Sequence, residues 1–491
     1  MAPDLDGWNV SRARALRLVV GTVAVALLLA AAVASVGYSP PDDGAGAVDR
    51  DVNGSTLVGV QGFHWQGQGN QKKPPKLAIA NESAGVEWTY DGSRAGISWF
   101  YDTDPLANGN VLVVNTYRDD GDPKTLVYEL DPDTRERVWQ VELDLHDTHD
   151  VDLINGDQLL VANMRNYDAD NGTSNDRVLI YDVGEQMNGS EDPVGEDDIV
   201  WEWYFKDHYP ADTDGGMNED WTHVNDVDKV DDGEYLVSPR NFDQVILLNR
   251  STNEIDLRLG EDDDHGTLYE QHNPMYMETD DGEPVILVAD SENNRIVEYT
   301  CSERAAAGSC EWDLTWELDD PSLNWPRDAD RLPNGNTLVV DSLNHRVVEV
   351  TPEGEIVWES FVFWGPYDAE RIPYGDESER VDVPAMADLN ESGEVELNGS
   401  SGRVAGTGDN LRFYQFLDRT FAGTPVSGPA NWLADNFRKS GWARPAWMAP
   451  WSLVHLIFFA LVVVAWALAE LVYQRRRVRR GLGRAVDRIR G

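Results

Sequence analysis

Three of the chain's nine histidines stand at the starts of similar stretches of sequence. They are His149 in Thr148-His149-Asp150, His223 in His223-Val224-Asn225, and His272 in Gln271-His272-Asn273-Pro274, with Arg240 following in Ser238-Pro239-Arg240. Aligning the stretches on their Asp-x-Asp or Asp-Ala-Glu steps puts Tyr101, His149, Asn225, Arg327 and Tyr367 at one equivalent position, and His272 takes it in the remaining stretch. Imidazoles and guanidinium forks donate hydrogen bonds to negatively charged oxygens, so a cluster of them in an otherwise anionic chain is suited to an anion. The plainer alternative is that each residue hydrogen-bonds a neighbouring loop. That explains any one histidine better than it explains three at repeat starts.

What must position these residues is a repeat. Residues 325–358 give its cleanest copy. A short inner strand near Ala329 is followed by strands over 337–340, 346–350 and 355–358, with turn signals at Asn334-Gly335 and Pro352-Glu353-Gly354. The same order recurs over 150–203, 226–259, 272–316 and 101–139, making five complete units. A sixth is split. Pro366-Tyr367-Asp368-Ala369-Glu370-Arg371 echoes Pro326-Arg327-Asp328-Ala329-Asp330-Arg331 but has no following strands, while 57–63, 76–80 and 86–90 are strands with no inner partner. Joining the two pieces closes a ring and removes two exposed sheet edges. The expected fold is all-β: a six-bladed β-propeller over 57–373, its last blade closed by the N-terminal strands.

The ends point to a bilayer. Residues 16–36 are apolar after Arg12, Arg14 and Arg17, and residues 451–472 are apolar before Arg475, Arg476, Arg477, Arg479 and Arg480. A cleaved signal peptide competes for the first run. Two transmembrane helices with basic flanks inside the cell would leave the propeller outside, anchored to the lipid bilayer in the cell membrane. The expected divisions are a cytoplasmic N-terminus and helix (1–37), a linker (38–56), the propeller (57–373), an acidic linker and connector (374–446), a second helix (447–473) and a basic cytoplasmic tail (474–491). Seven Asn-x-Ser/Thr triplets fall in the outside part, as in a glycoprotein. Cys301 and Cys310, the only cysteines, flank a short loop and are expected to form a disulfide there. The net charge of −48 is spread along the chain, as on a halophile's surface, and excludes nucleic acid as a partner.

The ordered set His149, His223-x-Asn225, Arg240 and Gln271-His272 resembles the arylsulfate sulfotransferases, six-bladed propellers that pass a sulfuryl group between phenols without a nucleotide donor. The resemblance spans roughly 57–373. It implies that His272 is the nucleophile carrying a covalent sulfuryl group, and that His149, His223, Asn225 and Arg240 hold the sulfate and phenolic oxygens. It also implies a small phenolic sulfate donor, a phenolic acceptor and no cofactor or metal. Arg327 matches nothing in that motif and is expected to add an anion contact, while Tyr101 and Tyr367 are expected to face an aromatic substrate. The paired aspartates are expected to cap strand amides rather than bind calcium. A different outcome fits Asp341-Ser342-Leu343-Asn344-His345-Arg346, which resembles the NHL repeat: a non-catalytic propeller that binds a ligand or protein at the cell surface. The two differ in whether the named side chains converge.

Overall fold

The structure, a computed structural model, describes residues 5–36, 42–50, 52–62, 73–92, 96–119, 122–304, 310–375, 383–399, 413–421, 424–438, 444–445 and 447–475. The chain divides into two units, Asp42–Leu411 and a second made of Met1–Pro41 with Arg412–Gly491. Most of the expected basic tail lies outside the described residues.

The first unit is a six-bladed propeller. Five blades run inward to outward in chain order, beginning with Ile97–Pro105, Val151–Ile154, Val224–Asp231, His272–Glu278 and Pro326–Arg331. The sixth is composite. Pro366–Arg371 is its inner strand and pairs antiparallel with Thr56–Val60, which continues to Lys76–Ala80 and Val86–Asp91.

Repeated local chemistry explains why these segments fold alike. In the first and fifth blades the inner hairpin turns through Leu106-Ala-Asn-Gly-Asn110 and Leu332-Pro-Asn-Gly-Asn336, with Gly109 and Gly335 at φ 88° and 85°. That left-handed conformation is cheap only for glycine. The flanking Asn side chains then donate to a third-strand glutamate in each blade, Glu129 or Glu349.

Neighbouring blades are stitched by tryptophans of the outer strands. Trp203 Nε1 donates to the Asn253 carbonyl at 3.2 Å, Trp316 to Pro352 at 2.9 Å and Trp358 to Asn81 at 3.3 Å, each in the following blade. Within the fifth blade, Arg346 is fully buried between Asp341 (2.7 Å) and Glu359 (2.8 Å). Arg295 repeats the arrangement in the fourth, with Asp290 and Glu317.

Two segments expected as linkers belong to the sheets. Gly44–Val48, within 38–56, pairs antiparallel with Ile356–Phe361 as a fifth strand of the fifth blade. Gly393–Val395, within 374–446, pairs in parallel with Cys310–Asp319 as a fifth strand of the fourth. Both cover outer edges that would otherwise stay open. Cys301 and Cys310 are joined by a disulfide, Cα atoms 5.7 Å apart, and residues 305–309 between them lie outside the described residues.

In the second unit, α1 (Leu5–Ser35) packs against α4 (Pro450–Tyr473). Arg17 pairs with Glu470 near one end and Ser35 Oγ meets Ser452 Oγ at 2.7 Å near the other, so the two run antiparallel. Arg14–Ser35 and Trp451–Tyr473 are long and apolar enough to cross a membrane. Between them in sequence, α2 (Phe413–Phe421) and α3 (Ser427–Arg438) form a hairpin closed over Leu417 and Ala434.

Trp358 is completely buried and its ring joins the fifth blade to the composite one. Trp358→Ala is therefore expected to cost about 3–5 kcal/mol in the unfolding free energy of the propeller, measured by chemical denaturation. A cost near zero would show that blade closure does not depend on this contact.

Candidate active site

Each blade starts its inner strand at one mouth of the central channel, and local backbone irregularities aim side chains into it. The inner ladders slip between Phe100 and Thr103, Val224 and Val227, His272 and Met275, and Pro326 and Asp328, and again beside Tyr367 opposite Gly59 and Val60. These bulges place Tyr101, Asn225, Arg327 and Tyr367 at the slipped positions, with His272 at the edge of one. A bulge breaks strict alternation and re-aims the side chain it carries. Backbone strain gathers here too, since Asp147, Arg165, His223, Glu270, Asn273 and Trp325 all have φ between +39° and +60°.

The expected residues meet. Tyr101 and His149 are in contact, with ring centroids 3.9 Å apart and planes tilted by 35°, and the His149 ring lies 5.1 Å from that of His223. Tyr367 sits among them, its ring 5.1 Å from Tyr101, 5.6 Å from His149 and 5.9 Å from His272. Its hydroxyl is 3.1 Å from His149 Nδ1. The Arg327 guanidinium lies 3.8 Å from the Trp325 ring and 5.1 Å from Tyr367, with Nη1 against His272 Nε2. Asn225 Nδ2 donates to the Gln271 carbonyl at 2.9 Å, tying the third inner strand to the residue before His272. Arg240 opens the short turn after the third blade's second strand. It is held by Asn241 Oδ1 at 2.8 Å and Glu270 at 3.7 Å, and its charge reaches both His223 and His272.

The partners of each imidazole decide what its other nitrogen can do. His272 Nδ1 is 3.0 Å from the Glu270 carbonyl, which can only accept, so Nδ1 carries the proton. Ser291 Oγ, 2.8 Å from the same nitrogen, in turn donates to the Pro326 carbonyl at 2.6 Å. Nε2 is left unprotonated and accepts from Arg327 Nη1. Burial, then the charges of Arg327 and Arg240, hold the His272 pKa well below the usual imidazole value. Burial and Arg240 push His223 down to about 3, against the upward pull of Asp220, 2.8 Å from its Nδ1. His149 is likewise depressed, by burial and then by His223 and Arg165. All three are neutral at neutral pH, in a pocket whose positive charge comes from arginine.

Sequence alone did not single out Asp147, Arg165, Asp220 or Ser291. Their local signal is only that Asp147 and Asp220 precede His149 and His223 by two and three residues, which 88 acidic residues make unremarkable. Below this layer run the paired carboxylates. Asp150 accepts from the Val227 amide, Asp152 from Lys229 at 3.1 Å and Asp328 from Ala369 at 3.1 Å, each stitching one inner strand to the next. Two overlapping sets, Asp102 with Asp150 and Asp152, and Asp150 with Asp226 and Asp228, hold oxygens within 4.8 Å of one another and are close enough to share a cation. Burial, followed by the neighbouring carboxylates, raises the Asp150 pKa well above the ordinary carboxylate value.

Residues 197–363 match the family model described as Arylsulfotransferase (ASST). No curated protein matches the chain. Among solved structures it is similar to a protein of unknown function from Bacteroides caccae, at 12% identity and TM-score 0.41, covering 65% of this chain and 98% of that one. It is also similar to the periplasmic gluconolactonase PpgL of Pseudomonas aeruginosa, at 14% identity and TM-score 0.40, covering 67% and 100%. The matched segment contains His223, Asn225, Arg240 and His272, and the match supports the resemblance to the arylsulfotransferases (ASST).

Proposed function

We propose that the chain transfers a sulfuryl group from a phenolic sulfate ester to a phenolic acceptor through a sulfohistidine at His272, without a nucleotide donor. The observation that carries this is the His272 ring: Nδ1 is committed to the Glu270 carbonyl, and Nε2 is unprotonated and accepts from Arg327, whose N–H turns to the incoming sulfate oxygens and frees the lone pair. The lone pair of Nε2 forms an N–S bond while the S–O bond to the aryl group breaks, its electron pair leaving on the phenolic oxygen. The acceptor's oxygen then attacks the same sulfur and releases His272, so one difficult exchange becomes two easier ones.

Negative charge grows on the peripheral and leaving oxygens in a loose transition state of this kind. Arg240, Arg327 and Asn225 supply fixed donors for it in a buried site. His223 gives its proton to the departing phenolate and recovers it from the acceptor. The bound anion favours that protonated form. His149, between Tyr101 and Tyr367, borders the space for the aryl ring.

The basic flanks of the two apolar helices support an orientation with both termini in the cytoplasm and the propeller outside, where soluble aryl sulfates would reach it. Convergence of the side chains favours catalysis over a purely ligand-binding propeller.

The test is transfer from 4-nitrophenyl sulfate to phenol by the full chain at high salt. His272→Ala is expected to lower the rate by at least about 10³-fold while leaving the fold intact. Arg327→Gln is expected to lower kcat by roughly 10²–10³-fold. Because the nucleophile His272 stays neutral well below the ordinary imidazole range, and the proton His223 must carry only becomes more available, the rate should not fall as pH drops from about 8 to about 5. Half-loss near pH ~6.5 would show an unperturbed imidazole and contradict the buried site.

A further inference from the structure

A chain of charges, buried at Asp147 and half-exposed at Arg165 and Asp220, runs beside the histidines from the first blade to the third. The Tyr101 hydroxyl donates to Asp147 Oδ1 at 2.8 Å, and Arg165 Nη1 donates to Asp147 Oδ2. Arg165 Nε donates at 2.9 Å to Asp220 Oδ1, the same oxygen that takes His223 Nδ1–H at 2.8 Å. Asp147 precedes the second blade's inner strand, Arg165 follows that blade's second strand, and Asp220 precedes the third blade's inner strand. One guanidinium therefore fixes both carboxylates. Asp147, Arg165 and His223 all have left-handed backbones.

The two catalytic-site imidazoles differ in what holds Nδ1. His272 faces a neutral carbonyl and a hydroxyl, whereas His223 faces a carboxylate. A carboxylate on Nδ1 fixes the ring orientation and favours the doubly protonated ring, and a carbonyl does much less of the latter. We infer that Asp220, locked in place by Arg165, is the positioning residue that makes His223 rather than His272 the proton carrier. Of the remaining groups around His223, Arg240 and Arg165 are cationic and oppose its protonation, as burial does, while His149 and His272 are neutral. Asp220 supplies the opposite charge in direct contact with it. Burial raises its own pKa, but the hydrogen bonds and charges of His223 and Arg165 outweigh this and keep it below the ordinary carboxylate range.

This inference rests on the sulfotransferase assignment, and the experiment separates the two. Asp220→Asn keeps the shape and removes the charge. Initial rates are measured for a series of aryl sulfates whose leaving phenols differ in acidity, with a common acceptor, for wild type, Asp220→Asn, His223→Gln and the double variant. A weak leaving group needs the proton most. Asp220→Asn should therefore slow transfer from phenyl sulfate by about 100-fold and from 4-nitrophenyl sulfate by about tenfold or less, so the rate depends more steeply on leaving-group acidity. The double variant should be no slower than His223→Gln, because the two act as one unit. An equal loss with every donor, or additive losses in the double variant, would overturn the positioning role while leaving the sulfotransferase intact. Wild-type protein that transfers from no donor would remove the assignment and this inference together.

Discussion

Thr56–Val60 and Pro366–Arg371, from opposite ends of the propeller sequence, pair as neighbouring strands, residue 56 facing residue 371. Everything at the channel mouth depends on that closure. It sets six inner strands around one axis, so that residues widely separated in sequence stand a few ångströms apart. Tyr367 comes from the composite blade itself and touches Tyr101, His149 and His272 at once. An open array of the same blades would leave Tyr367 away from Tyr101, and the pocket would lack a wall. The buried Trp358 and the paired carboxylates that receive the next blade's amides are the local devices holding the ring shut.

Within the ring the decisive balance is between burial and charge. Burying three imidazoles favours their neutral forms, and the nearby arginines push the same way. The site therefore holds the positive charge of Arg240 and Arg327 beside imidazoles that are kept neutral. That division suits an anionic group arriving with a neutral aromatic ring. It also explains why a protein with a net charge of −48 can host an anion: the carboxylates at the mouth, Asp147, Asp220 and Glu270, are each paired with an arginine or histidine.

Much of this was legible in the residues. Hydrophobic alternation with fixed turn chemistry gave five units and the halves of a sixth, because each blade solves the same packing problem with the same residue types. Alignment on the Asp-x-Asp steps brought His149, Arg327, Tyr101 and Tyr367 to one level, and these do meet. The edge strands at Gly44–Val48 and Gly393–Val395 were not legible. Gly-Ala-Gly-Ala-Val has almost no side-chain pattern, and a short parallel strand leaves only backbone hydrogen bonds, to which sequence is blind. The link through Asp147, Arg165 and Asp220 was hidden for a different reason: in so acidic a chain, an aspartate near a histidine carries no information until the fold shows which guanidinium lies between them.

The central claim is that His272 Nε2 becomes covalently bonded to sulfur. The most direct measurement is to mix the full chain with an aryl sulfate in the absence of acceptor, quench in alkali, digest, and look for the sulfuryl adduct by peptide mass spectrometry. The account predicts one adduct per chain, on the peptide containing His272, lost when phenol is added before the quench. Release of the phenol with no adduct on that peptide, or an adduct on His223 or His149 instead, would contradict it.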